Sequence, residues 1–124
     1  MPGRKVLIER ALSAMELWIE LQFEAVRAFE KQPVDDETLR PIFAYARYCL
    51  AASDGDINTA VAVAFVEHLP VRAAVRADLH RWISQEEFDG LRALLQYFPS
   101  PEEFEAFQTE FKKRARERRR SDRA

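Results

Sequence analysis

Apolar residues recur three and four positions apart along most of the chain, the period of an amphipathic helix. The first such run predicts a long helix from about Lys5 to Lys31. Spaced at 100° per residue, Glu9, Glu16, Glu20, Glu24 and Arg27 fall on one narrow arc. Nearly every other position is apolar: Ile8, Leu12, Met15, Trp18, Ile19, Leu21, Phe23, Val26 and Phe29. A surface helix carries a narrower apolar stripe. This one is expected to be covered on more than one side, by other helices of the chain or by a partner.

The segment "KQPVDDETLRP" reads as a connection in which Asp35, Asp36 or Thr38 caps a second helix. Pro41 is tolerable only near that helix's start. Leu39, Ile42, Phe43, Ala46, Cys49 and Leu50 repeat at helical spacing up to about Ser53. In "SDGDINTAVAVAFVEHLP", Asp54-Gly55 is expected to turn, with Gly55 free to take a positive φ and Asp56 capping the next helix. Ile57, Ala60, Val61, Ala64, Phe65 and Leu69, widened by Val63 and Val66, predict a central buried helix that Pro70 ends. Val71, Ala74, Val75, Leu79, Trp82 and Ile83 predict a fourth helix. Ser84-Gln85-Glu86-Glu87 and Ser100-Pro101-Glu102-Glu103 are capping boxes, the second with Pro at the first helical position. They open a fifth helix with Phe88, Leu91, Leu94 and Leu95 inward, and a sixth carrying Phe104, Phe107, Phe111 and Ala115.

Composition agrees. The 124 residues are 48% hydrophobic and 32% charged, with three glycines, too few for a turn-rich β fold. A chain of this length can bury a core without staples. The expected fold is all-α: a single-domain bundle of five or six helices, with the long N-terminal helix and the Ile57–Leu69 helix at its centre. Residues 1–111 form the domain, and 112–124 a basic helix end that frays into solvent. No segment approaches the roughly 20 apolar residues of a membrane span. Glu9, Arg10 and Glu16 interrupt any signal-like apolar run, so the expected compartment is the cytoplasm. Net charge is −2, but residues 112–124 hold eight Lys/Arg against Glu117 and Asp122, +6, which leaves −8 on the remainder.

Candidate chemistry is sparse. Asp54, Asp56 and Asn58 match the opening of a calcium loop, but its sixth position is Thr59 rather than Gly and its twelfth is Phe65 rather than Glu. A turn and helix start is the better reading. His68 and His80 have no second His or Cys at metal-ligand spacing. Glu67 and His68 are adjacent and point about 100° apart on a helix. Cys49 sits in an apolar run and reads as a small buried hydrophobe. Gly3, Gly55 and Gly90 are isolated, so no phosphate loop or nucleophile elbow is present. No metal, cofactor or catalytic residue is expected, and the chain does not read as an enzyme.

Two surfaces remain. Glu16, Glu20 and Glu24, with the apolar Leu17, Trp18 and Leu21 beside them, could meet a basic protein partner or a second copy. Lys112, Lys113, Arg114, Arg116, Arg118, Arg119 and Arg120 could instead bind nucleic acid or another acidic surface, dock on the protein's own acidic face, or simply be a solvated helix end that suits the negative end of the helix dipole. The −8 body repels phosphate, and no aromatic residue lies among 112–124 to stack on bases.

Residues from about 39 to 70, above all "SDGDINTAVAVAFVEHLP" with its Phe65-Val66-Glu67-His68-Leu69 ending, resemble a recurring segment of small bacterial helical proteins of uncharacterised function. Some of these resemble immunity proteins, which neutralise a toxin by binding it. The resemblance spans about a quarter of the chain and implies no catalytic residue. The expected function is therefore non-catalytic protein binding, of the immunity type that the resemblance implies, with nucleic-acid binding through the tail as the alternative.

Overall fold

The computed structural model describes the backbone of residues 2–123 and the side chains of residues 13–122. Glu9, on the charged arc, and the expected apolar positions Ile8 and Leu12 thus lie outside the described side chains. The fold is all-α. Seven α-helices follow one another among the described residues: α1 Pro2–Glu30, α2 Asp36–Ala51, α3 Gly55–Ala64, α4 Ala73–Asp78, α5 Gln85–Gly90, α6 Arg92–Leu95 and α7 Pro101–Arg123. Two 3₁₀ segments, Val66–Val71 and Leu79–Arg81, extend α3 and α4.

The expected central helix is shorter than its apolar stripe. It stops at Ala64, and the chain tightens into 3₁₀ winding in which His68 N–H donates to the Phe65 carbonyl at 3.2 Å. Pro70 has no N–H, and in an α-helix its ring would meet the carbonyl four residues back, at Val66. Arg76 Nη1 donates to the carbonyls of Pro70 and Val71, at 2.7 and 3.3 Å, which closes the segment's end. The expected fifth helix divides at Gly90-Leu91, where Leu91 leaves helical geometry. Leu95 still turns fully inward, while Leu91 and Leu94 are partly buried.

The caps correct two details. Asp54, not Asp56, caps α3: its carboxylate accepts the N–H groups of Asp56 and Ile57 at 2.9 and 3.2 Å. Gly55 is then the first helical residue and has no positive φ. Asp35 caps α2. The Ser84–Glu87 capping box forms in both directions, while at α7 Ser100 Oγ accepts Glu103 N–H at 3.1 Å.

α1 packs against α3, α2 and α4, and α7 against α4, α5 and the Leu79–Arg81 turn. An aromatic row crosses the first group, from Trp18 through Phe65 and Phe43 to Trp82, with ring centroids 5.3 to 5.7 Å apart. A second cluster, Phe88 against Phe104, Phe107 and Phe111, fastens α7 to α5. Cys49 is buried in this core. α7 continues to Arg123, so residues 112–123 are helical. Ala115, a turn beyond Phe111, is still buried.

Candidate binding surfaces

The exposed side of α2 divides two grooves. Tyr45 and Tyr48 face one flank, and Arg40, Ala44 and Arg47 face the other, about a quarter turn away.

The first groove, of about 340 Å³, is lined by Ser13, Ala14, Leu17, Trp18, Tyr45, Asp54, Asp56 and Ile57. Trp18 forms its base. It is 1% exposed and stacks on Tyr45 with centroids 5.4 Å apart. Tyr45 stacks in turn on Tyr48, which is 74% exposed. Asp54 and Asp56 set the rim, because the first carboxylate must stay at the α3 N-terminus to cap it. This arrangement separates the six residues singled out on α1. Leu17 is open to solvent at 43%, and Glu16, Glu20 and Glu24 are exposed. Leu21 is partly buried against the core. Trp18 belongs to the core, since an indole placed between Phe65 and Tyr45 has no free face for a partner. Tyr45 and Tyr48 were not anticipated; their positions outside the buried stripe of α2 were the available signal. Ile19 and Phe23, expected to be covered by other helices or by a partner, are left exposed by the chain's own helices, at 41% and 53%, on the side of α1 away from Leu17.

The second groove is larger, about 700 Å³. Its walls are α2 and the last turns of α7, and its floor is the turn from His80 to Glu87. Arg40, Arg47, Arg81, Arg118 and Arg119 converge there. Three are tied down. Arg47 donates to both Glu87 oxygens, at 2.7 and 3.1 Å, and to the Trp82 carbonyl. Glu87 is thereby held below the usual carboxylate range, chiefly by that hydrogen bond. Arg81 forks onto Asp36 at 2.8 and 3.0 Å and onto Asp78 at 2.8 and 2.9 Å. Its guanidinium also lies 5.2 Å from the Trp82 ring centre. Arg118 donates to the His80 carbonyl at 2.8 Å. Arg40 and Arg119 make no hydrogen bond or ion pair among the described residues. Two polar atoms at this groove, His80 Nδ1 and Gln85 Oε1, are buried without a hydrogen-bond partner. Burial, followed by the Arg114 charge, pushes the His80 pKa down from 6.5.

The basic tail is thus divided by its helix. Arg118 and Arg119 enter the groove, Arg114 pairs with Glu110 at 2.7 Å, and Lys112, Lys113, Arg116 and Arg120 stay exposed. No three His, Cys, Asp or Glu side chains come together as a metal site among the described residues. Asn58, the third residue of the calcium-like triplet, points at α2. Its Nδ2 donates to the carbonyls of Cys49, Leu50 and Ala52, at 2.6, 3.3 and 3.0 Å. His68 lies against Phe98, with centroids 4.9 Å apart, and Glu67 is buried. No helix among the described residues is long and apolar enough to cross a membrane. Comparison with protein-family models, with curated proteins and with solved structures finds no match to this chain.

Proposed function

We propose that this protein is a non-catalytic protein-binding domain, of the immunity type, which holds its partner on the groove between α1, α2 and α3. The observation that carries this reading is the surface tyrosine stack beside an apolar groove rimmed by carboxylates. Tyr48 presents most of its ring to solvent while Tyr45 and Trp18 fix it from behind. Aromatic side chains held rigid in this way contribute contact area at little entropic cost, and they dominate binding hot spots. Asp54 and Asp56 stand at one edge. Glu20 and Glu24 follow Leu17 at helical spacing along α1, so they extend the same negative border. The matching partner segment is an aliphatic or aromatic side chain flanked by Lys or Arg. Charge of this kind speeds encounter and selects partners more than it adds affinity.

A displayed library of random peptides, panned against the full chain, tests the proposal. Peptides with one large apolar residue between basic residues should be enriched. A Leu17→Lys, Tyr48→Ala double variant should lose them by more than about tenfold, the scale of a hot-spot truncation. Its circular dichroism and urea midpoint should stay close to those of the parent, because both side chains are solvent-exposed. A library that yields no convergent family, or one that both proteins capture equally, would refute the assignment.

A further inference from the structure

The arginine groove and the acidic stripe of α1 are two surfaces that this chain does not join to each other. We infer that the groove receives the α1 stripe of a second copy, so that copies associate head to tail.

The groove is shaped for a helix. Its α2 wall repeats at i, i+4 and i+7 as Arg40, Ala44 and Arg47, a cation at each end and a small residue between. The end residues are about 10 Å apart at 1.5 Å rise per residue. The α1 stripe repeats at the same interval, with Glu16, Ile19, Glu20 and Phe23 on one side of the helix. Carboxylates there alternate with bulky apolar groups, and the groove offers the cations Arg40 and Arg119 together with the apolar lining of Phe43, Ala44, Trp82 and Ile83. Ile19 and Phe23 are left about half exposed, although nothing else in the fold accounts for large apolar side chains beside that acidic face. Arg40 and Arg119 have no hydrogen-bond or ion-pair partner among the described residues, so they can meet carboxylates without breaking an ion pair seen there. The chain's charge is divided in the same sense, −8 on the body and +6 on residues 112–124. Glu86 and Asp122 also line the groove. They disfavour a polyanion such as nucleic acid, and suit a ligand that mixes carboxylates with apolar groups and carries a cation of its own. Arg27 on the same arc of α1 is such a cation.

This contact uses different surfaces on its two copies. It is heterologous, and its closure into a ring or growth into a filament depends on the rotation it imposes. Charge-reversed variants test it in sedimentation velocity. The wild-type chain should grow in mass with concentration and dissociate as salt screens the charges. Glu16→Lys with Glu20→Lys should be monomeric, with association weakened at least about tenfold, and so should Arg40→Glu with Arg119→Glu. All four side chains are exposed, so each variant should keep the parent's helicity. The decisive arm mixes the two variants in equal amounts. Each retains the surface the other has lost, so the mixture should form a heterodimer that grows no further. A wild-type chain that stays monomeric up to millimolar concentration would overturn the inference. So would a mixture in which the variants ignore each other. Retention of single-stranded DNA by wild type, lost on Arg40→Glu with Arg119→Glu and unaccompanied by self-association, would overturn it in favour of a phosphodiester ligand.

Discussion

Replacing Asn58 by Asp improves the calcium-loop match of Asp54-Asp56-Asn58, yet in this fold it should be harmful. The Asn58 amide closes the end of α2, where the last carbonyls have no partner within the helix. Two N–H protons serve three carbonyls, with Cys49 and Ala52 the nearer pair. Asn58→Ala removes both donors. At about 0.5 to 1 kcal/mol for each of the two donors, the lower part of the usual net range because they are shared among three carbonyls, the loss is about 1–2 kcal/mol. Asn58→Asp removes the same donors and adds a negative charge at the negative end of the α2 dipole, which raises the loss to about 2–3 kcal/mol. For a chain of this length the unfolding entropy converts each kcal/mol into roughly 4 °C, so the melting temperature should fall by about 4–8 °C for Ala and about 8–12 °C for Asp. Urea titration followed by tryptophan fluorescence reports both, since Trp18 is buried and Trp82 half-buried. Each titration is repeated with excess calcium. The reasoning fails if Asn58→Asp is as stable as the parent, or if calcium restores it.

Three further outcomes follow from the geometry. Phe88 is fully buried among Phe104, Phe107 and Phe111, so Phe88→Ala should cost about 3–5 kcal/mol in urea unfolding and loosen α7 first in hydrogen exchange. Ser84→Ala removes one arm of the capping box and should cost about 1 kcal/mol, measured the same way. The pH profile should fall in two stages. His80 has a folded pKa below its ordinary 6.5, so the unfolded chain takes up the proton first, and stability present above pH 6.5 declines as pH drops through the folded value. Glu87 is depressed below 4.5, so its contribution is present above that pH and is lost on further acidification. His80→Gln should flatten the first stage alone, and Glu87→Gln should reduce the second, which Glu87 shares with the depressed Asp35, Asp36 and Glu110, in unfolding free energies measured across the range.

Much of the helix layout was legible because it rests on local signals. The serine-led boxes mark the starts of α5 and α7 through hydrogen bonds that span three residues, and Phe104, Phe107, Phe111 and Ala115 face inward at helical spacing. The choice between Asp54 and Asp56 as cap was not legible, because both residues can cap and the winner depends on where α2 releases the chain. Periodicity also overstated burial. Val63 and Phe23 carry apolar patterns but face solvent, because none of the described residues covers their side. The surfaces were the least legible part. Tyr45 and Tyr48 sit on α2, whereas the groove that Tyr45 lines is completed by Leu17 of α1 and Ile57 of α3.

Local chemistry along the chain was sufficient to determine an all-helical protein, most of its helix starts, the buried face of α7 and the division of charge between body and tail. These follow from hydrogen bonds and side-chain spacings that reach only a turn or two. The tertiary structure alone decided that Arg40 and Arg47 meet Arg118 and Arg119 across some seventy residues of chain, and that Trp18 closes into the core while Leu17 stays open. Those outcomes depend on which helix packs on which. A helical period shows which side of a rod is apolar, but it carries no information about what will lie against it.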